Sequence, residues 1–140
     1  MPTSFSVAVR NARLSAIVTQ AGSGAILRAY NGTKPAAQGA VTSQTLMASL
    51  TFGTDILAAN GGTAGSVSAG VLTFGGFTQS NGSHVAGTPT WVRLVTSGGT
   101  IIMDIDVAAG ATNIQWPNPI VNGQNITTSG GFTLTDGNAA

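Results

Sequence analysis

From Ala25 onward, apolar side chains recur at every second position in short runs, and Asn-Gly or Gly-Gly pairs cut one run from the next. A period of two belongs to a strand with one face buried, and the pairs supply the backbone freedom of tight turns. A chain written this way is held to short strands joined by turns, so the pattern predicts an all-β fold. Ile26 to Tyr30 reads as a strand stopped by Asn31-Gly32. In Thr45 to Phe52, Leu46, Ala48 and Leu50 share one face and Met47, Ser49 and Thr51 the other. Val71 to Phe77 and Asn125 to Thr135 read as further strands, the latter with Phe132 and Leu134 inward and Thr133 and Thr135 outward. Gly75-Gly76 and Gly130-Gly131 mark bulges or bends within them. Asp55 to Ala59 fits a short strand or a single helical turn, and Asn60 to Gly70 reads as a loop. Pro117 and Pro119 make Trp116 to Ile120 an edge or a corner.

The sharpest local expectation is a hairpin. Thr90 to Thr96 and Ile101 to Val107 flank Ser97-Gly98-Gly99-Thr100. A two-residue turn at Gly98-Gly99 sets Leu94 opposite Met103 and Val92 opposite Ile105. On the other face Arg93 then meets Asp104, and Trp91 meets Asp106. An exposed cross-strand ion pair contributes only ~0.2–1 kcal/mol, so the pair selects register more than it stabilises.

Ahead of the strands, Pro2 to Gln20 predicts a helix. Thr3 or Ser4 is placed as N-cap, and Gly22 at the helix end in the left-handed conformation. Leu14, Ile17 and Ala21 form one apolar stripe at helical spacing, Phe5 and Val9 a second, and Arg10 and Arg13 share a face. The two arginines are either a solvated face or a pair of cations reaching an acidic patch on a partner.

Composition narrows function. The 140 residues contain no Cys, one His (His84), and five basic against four acidic side chains, for a net charge of +1. No disulfide is possible. The charge gives no field to gather nucleic acid and no polybasic membrane patch. No apolar run approaches the ~20 residues of a membrane span, and Met1 to Arg10 does not read as a signal peptide. So few charges fit a surface kept soluble by Ser and Thr hydroxyls, or one that spends its life against other subunits.

Material for chemistry is correspondingly thin. Asp104 and Asp106 share a strand face, but a calcium site wants about six to eight oxygens, and Asp55 and Asp136 are distant in sequence. His84 follows a polar turn, with no G-x-S-x-G elbow to suggest a nucleophile. The glycine clusters lack the Gly-Lys-Ser/Thr of a phosphate loop. No catalytic residue, cofactor or metal site is therefore expected. Trp91 points away from the hairpin's apolar face. Helix cover or a subunit interface explains that better than sugar stacking. Trp116, beside two prolines, reads as a corner anchor. Many short strands and one leading helix fit a jelly-roll β-sandwich best. An immunoglobulin-like sandwich is second, without its Cys…Trp…Cys landmark.

Segments spread along the whole chain carry a resemblance. They are Val9-Arg10-Asn11-Ala12-Arg13-Leu14-Ser15-Ala16-Ile17, Gly24-Ala25-Ile26-Leu27-Arg28-Ala29-Tyr30-Asn31-Gly32, Trp91-Val92-Arg93-Leu94-Val95, Asn118-Pro119-Ile120-Val121-Asn122-Gly123-Gln124-Asn125-Ile126 and Phe132-Thr133-Leu134-Thr135-Asp136-Gly137-Asn138-Ala139. They resemble the jelly-roll cement, or decoration, proteins of bacteriophage capsids. The loop from Asn60 to Gly70 does not align with that pattern.

The resemblance implies a non-enzymatic virion protein on the outer capsid surface. It would bind major capsid protein subunits of the HK97-type fold, bridge neighbours as a homodimer, and resist the pressure of packed DNA. One domain is expected over 1–140: a helical arm (1–22), a sandwich (25–135) and a tail (136–140). The contact surfaces expected are Arg10 and Arg13 on the helix, Trp91 and Arg93 on the outer hairpin face, and Trp116. The competing reading is a carbohydrate-binding module of a tail fibre or baseplate.

Overall fold

Helix α1 spans Val7–Ala21, and its ends follow from their caps. Ser6 is the N-cap, its hydroxyl accepting from the Val9 amide at 3.3 Å, in place of the expected Thr3 or Ser4. Gly22 closes the helix with φ 69° and ψ −166°. The positive φ was expected; the ψ lies outside the left-handed helical well. The computed structural model describes residues 4–58, 64–76, 78–79, 85–107, 126–127 and 133–136. His84, Trp116, Pro117, Pro119 and Phe132 lie outside them.

Nine strands follow among the described residues: β1 (Ile26–Asn31), β2 (Thr45–Thr51), β3 (Ser66–Ser68), β4 (Val71–Thr73), β5 (Thr78–Gln79), β6 (Trp91–Val95), β7 (Ile101–Asp106), β8 (Ile126–Thr127) and β9 (Thr133–Thr135). They form antiparallel sheets ordered β2-β1-β6-β7, β3-β4-β9 and β5-β8. The protein is thus mostly β, with one short N-terminal helix. The chain leaves the first sheet after β2, builds β3 and β4 elsewhere, and returns with β6 beside β1. The core lies between these layers. Leu27, Leu50, Val92 and Leu94 of the four-stranded sheet share one buried cluster with Phe52, Ile56, Leu72 and Phe74. The Phe52 and Phe74 rings stack at 5.9 Å. Leu14 and Ala21 bring α1 onto the same cluster.

The hairpin register stands as expected at Trp91↔Asp106, Val92↔Ile105, Arg93↔Asp104 and Leu94↔Met103. The turn that produces it differs. The Gly99 amide donates to Thr96 O, and the Thr96 amide to Thr100 O, both at 2.9 Å, enclosing a three-residue loop. Gly99 sits at φ 89°, the glycine position of such loops. Val95 then faces Ile101 while Leu94 faces Met103, so Ile102 is one extra residue. That bulge restores the register a two-residue turn would have set.

Three other expectations change. Asn60 to Gly70 is not all loop, because Ser66–Ser68 pairs with β4 through a turn at Ala69-Gly70 with φ 52° and 75°. Small polar residues around Val67 conceal the alternation there. Val71 to Phe77 is shorter than expected, with the strand ending at Thr73. In β2, Ala29 faces Ala48 but Tyr30 faces Leu46, leaving Met47 as an extra residue. This bulge turns Met47 into the core and Leu46 out to solvent.

Candidate functional site

The four carboxylates of the chain are Asp55, Asp104, Asp106 and Asp136, and the fold gives each one its own partner. Asp55 Oδ1 accepts from the Leu57 and Ala58 amides at 2.8 and 2.9 Å, capping the turn that buries Ile56. This settles Asp55 to Ala58 as a turn, not a strand. Asp104 binds Arg93, Asp106 takes Lys34 Nζ at 3.0 Å, and Asp136 takes Arg13 Nη1 at 3.3 Å. The Asp104–Asp106 pair is therefore divided between two cations. No cluster of three metal-ligating side chains occurs among the described residues.

The outer face of the β6–β7 hairpin is covered at Trp91 and Arg93, while Asp106 at its end stays half exposed. Trp91 is fully buried and stacked on Tyr30, with centroids 4.4 Å apart and planes 11° from parallel. The Arg93 guanidinium lies 5.3 Å from the Trp91 ring. Its Nη2 also donates to Gly39 O at 2.9 Å, tying in the short turn Ala36–Gln38. Lys34 meets Asp106 on the same flank, so the stretch from Lys34 to Gly39 lies along this face. The helix does not: it packs against β3, β4 and β7. The exposure expected of Trp91 and Arg93 is thus corrected. Period-two alternation names the two faces of a strand, but cannot say whether a distant loop covers the second.

Arg10 and Arg13 both reach Asp136 of their own chain, Arg13 its carboxylate and Arg10 its backbone carbonyl. Arg10 Nη1 donates to the Asp136 carbonyl oxygen at 3.3 Å, beside the Arg13–Asp136 ion pair. Between them Asn11 Oδ1 accepts from the Gly70 amide at 2.8 Å, and the Asp136 amide donates to Gly70 O at 2.9 Å. A Cβ at Gly70 would collide with the Arg10 guanidinium, so this glycine supplies both the turn and the seat for Arg10. Trp116 lies outside the described residues.

Sequence reasoning missed the groups left in solvent. Phe5, Val7 and Val9 of the helix arm are exposed, as are Leu46, Val85 and Ile101. The Arg13 guanidinium carbon lies 4.9 Å from the Phe5 ring centre. Phe5 and Val9 were visible as a stripe; that no described strand covers it was not. Arg28 has no ion pair with any of the four carboxylates.

Comparison with protein families, curated proteins and solved structures returned no match. No described helix is long and apolar enough to cross a membrane.

Proposed function

We propose that this protein is a capsid cement protein. It binds the outside of a phage shell as a homodimer, bridges HK97-type major capsid protein subunits, and performs no catalysis. The observation that carries the reading is the set of apolar side chains left in solvent beside a well-packed body: Phe5 just before α1, Val7 and Val9 on it, Leu46 and Ile101 on β2 and β7, and Val85 ahead of β6. A surface that works by packing offers apolar groups of this kind. The resemblance running from Val9 to Ala139 supplies the class of partner.

A cement protein acts by mass action. Binding the assembled shell and not its separated subunits stabilises the shell by the binding free energy. Modest contacts repeated by symmetry suffice. The contact surface proposed moves to the exposed arm and to Arg28, because Arg10, Arg13 and Arg93 are engaged within the chain.

The jelly-roll form of the sandwich is part of the same proposal. The departure of the chain after β2 and its return at β6 beside β1 support it, since such folds place non-consecutive strands side by side. Sugar binding draws no support from Trp91, whose ring is enclosed.

The test is the abundance of this protein in purified virions relative to the major capsid protein. About equal abundance is expected. A few copies per particle would move it to the tail and overturn the cement reading.

A further inference from the structure

The chain carries five basic and four acidic side chains, and all nine lie among the described residues. Arg13, Lys34 and Arg93 pair with Asp136, Asp106 and Asp104. Arg10 donates to the Asp136 carbonyl oxygen, and Asp55 Oδ1 accepts from two backbone amides. Arg28 remains. No side-chain carboxylate of the chain pairs with it.

The sheet makes that cation unfavourable to keep. Leu27 and Ala29 of β1 point into the core, so Arg28 stands on the opposite face, the one on which Tyr30 stacks with Trp91. Strand register sets Ser49, Arg28, Arg93 and Asp104 in one row from β2 to β7. Two guanidiniums therefore stand side by side with one carboxylate in the row, and Arg93 takes that carboxylate with two bonds. Facing residues of neighbouring antiparallel strands have Cβ atoms ~4.5–5.5 Å apart, and like charges at that separation destabilise the pair. Arg28 is also half-buried, so water solvates only part of its side chain.

We propose, on the shell-binding reading, that Arg28 is the docking point for an acidic side chain of the major capsid protein, whose carboxylate completes the row. A guanidinium grips a carboxylate with two parallel bonds, a geometry that lysine does not reproduce. A protein carboxylate suits this face better than a nucleic acid backbone, which is held by several cations at once. The other cations here, Lys34 and Arg93, are already matched by Asp106 and Asp104. Arg28 is then a residue that the free fold does better without and the complex needs.

Two measurements on the full chain test this. In urea unfolding, Arg28→Met should have a midpoint equal to or above that of the wild type, because it removes one of two facing cations. A lower midpoint would mean that Arg28 serves the fold, and would overturn the proposal. On purified shells, Arg28→Met should bind at least about tenfold more weakly than the wild type, and Arg28→Glu more weakly still. Arg28→Lys, which keeps the charge and loses the fork, should fall between wild type and Arg28→Met. Added NaCl should narrow the gap between wild type and Arg28→Met. Wild type and Arg28→Met bound equally well would overturn the proposal and leave the cement reading standing. A wild type that does not bind shells would overturn both.

Discussion

Arg93 and Asp104 meet across the β6–β7 ladder as a two-bonded pair, Nε to Oδ1 at 2.6 Å and Nη2 to Oδ2 at 2.7 Å, with both side chains only 5 % exposed. The fork of a guanidinium matches a carboxylate in this way. Hydrogen bonding to Asp104, opposed by burial, holds the Arg93 proton more tightly than in free arginine. A cation whose folded pKa is raised contributes stability in full below its unfolded value and loses it as pH rises through the folded one. Here that window lies in strong alkali, so Arg93 stays charged throughout the working range.

Removing one member of this pair strands the other. Arg93→Met or Asp104→Leu is expected to lower stability by about 3–5 kcal/mol, and the double change Arg93→Met with Asp104→Leu to recover most of it. Urea unfolding of the two single variants and the double variant checks this. Additive losses would mean that the pair is not coupled.

Trp91 should behave as a core residue. In a Trp116→Phe background its emission is expected to be blue-shifted and poorly quenched by acrylamide, and to stay unmoved across a panel of sugars. Trp91→Ala should cost about 3–5 kcal/mol, as for other large aromatic truncations. Sugar-dependent quenching of Trp91 would restore the carbohydrate-binding reading.

Two glycines at positive φ test the cost of backbone conformation. Gly99 has φ 89° and open space around its Cβ position, so Gly99→Ala should cost about 1–2 kcal/mol from conformation alone. Gly70 has φ 75°, and the atoms its Cβ would meet are the far end of the flexible Arg10 side chain, which can step aside, so Gly70→Ala should cost about the same 1–2 kcal/mol. A much larger loss at Gly70 in thermal unfolding would show that the Arg10 guanidinium is held too firmly to give way.

Val9→Ser removes an exposed apolar side chain from the arm. Its effect on stability should stay near the ±0.5 kcal/mol typical of surface changes. Retention on purified shells should fall if the arm contacts the capsid. Stability and retention falling together would instead mark Val9 as part of the fold.

The hairpin shows how far local information reaches. Apolar alternation, opposed charges and a glycine turn lie within about twenty residues and demand one register, so Arg93 opposite Asp104 was legible from sequence. The helix stripe of Leu14, Ile17 and Ala21 was legible for the same reason, since each period is a property of the segment itself. The β2 bulge was not. Met47 and Leu46 exchange environments through one extra residue, and no local pattern marks which residue that is.

What the sequence by itself determined is therefore the all-β class with its leading helix, the β6–β7 register and the scarcity of groups for chemistry, all set by composition and short-range geometry. Only the tertiary structure decided where the charged and aromatic groups would lie. Trp91 became a core residue because Tyr30 stacks on it, and Arg93 because Asp104 and Gly39 enclose its charge. Arg10 and Arg13 were tied to Asp136, more than 120 residues away. A side chain's exposure depends on what distant chain is packed against it, and that is fixed only when the whole chain has closed.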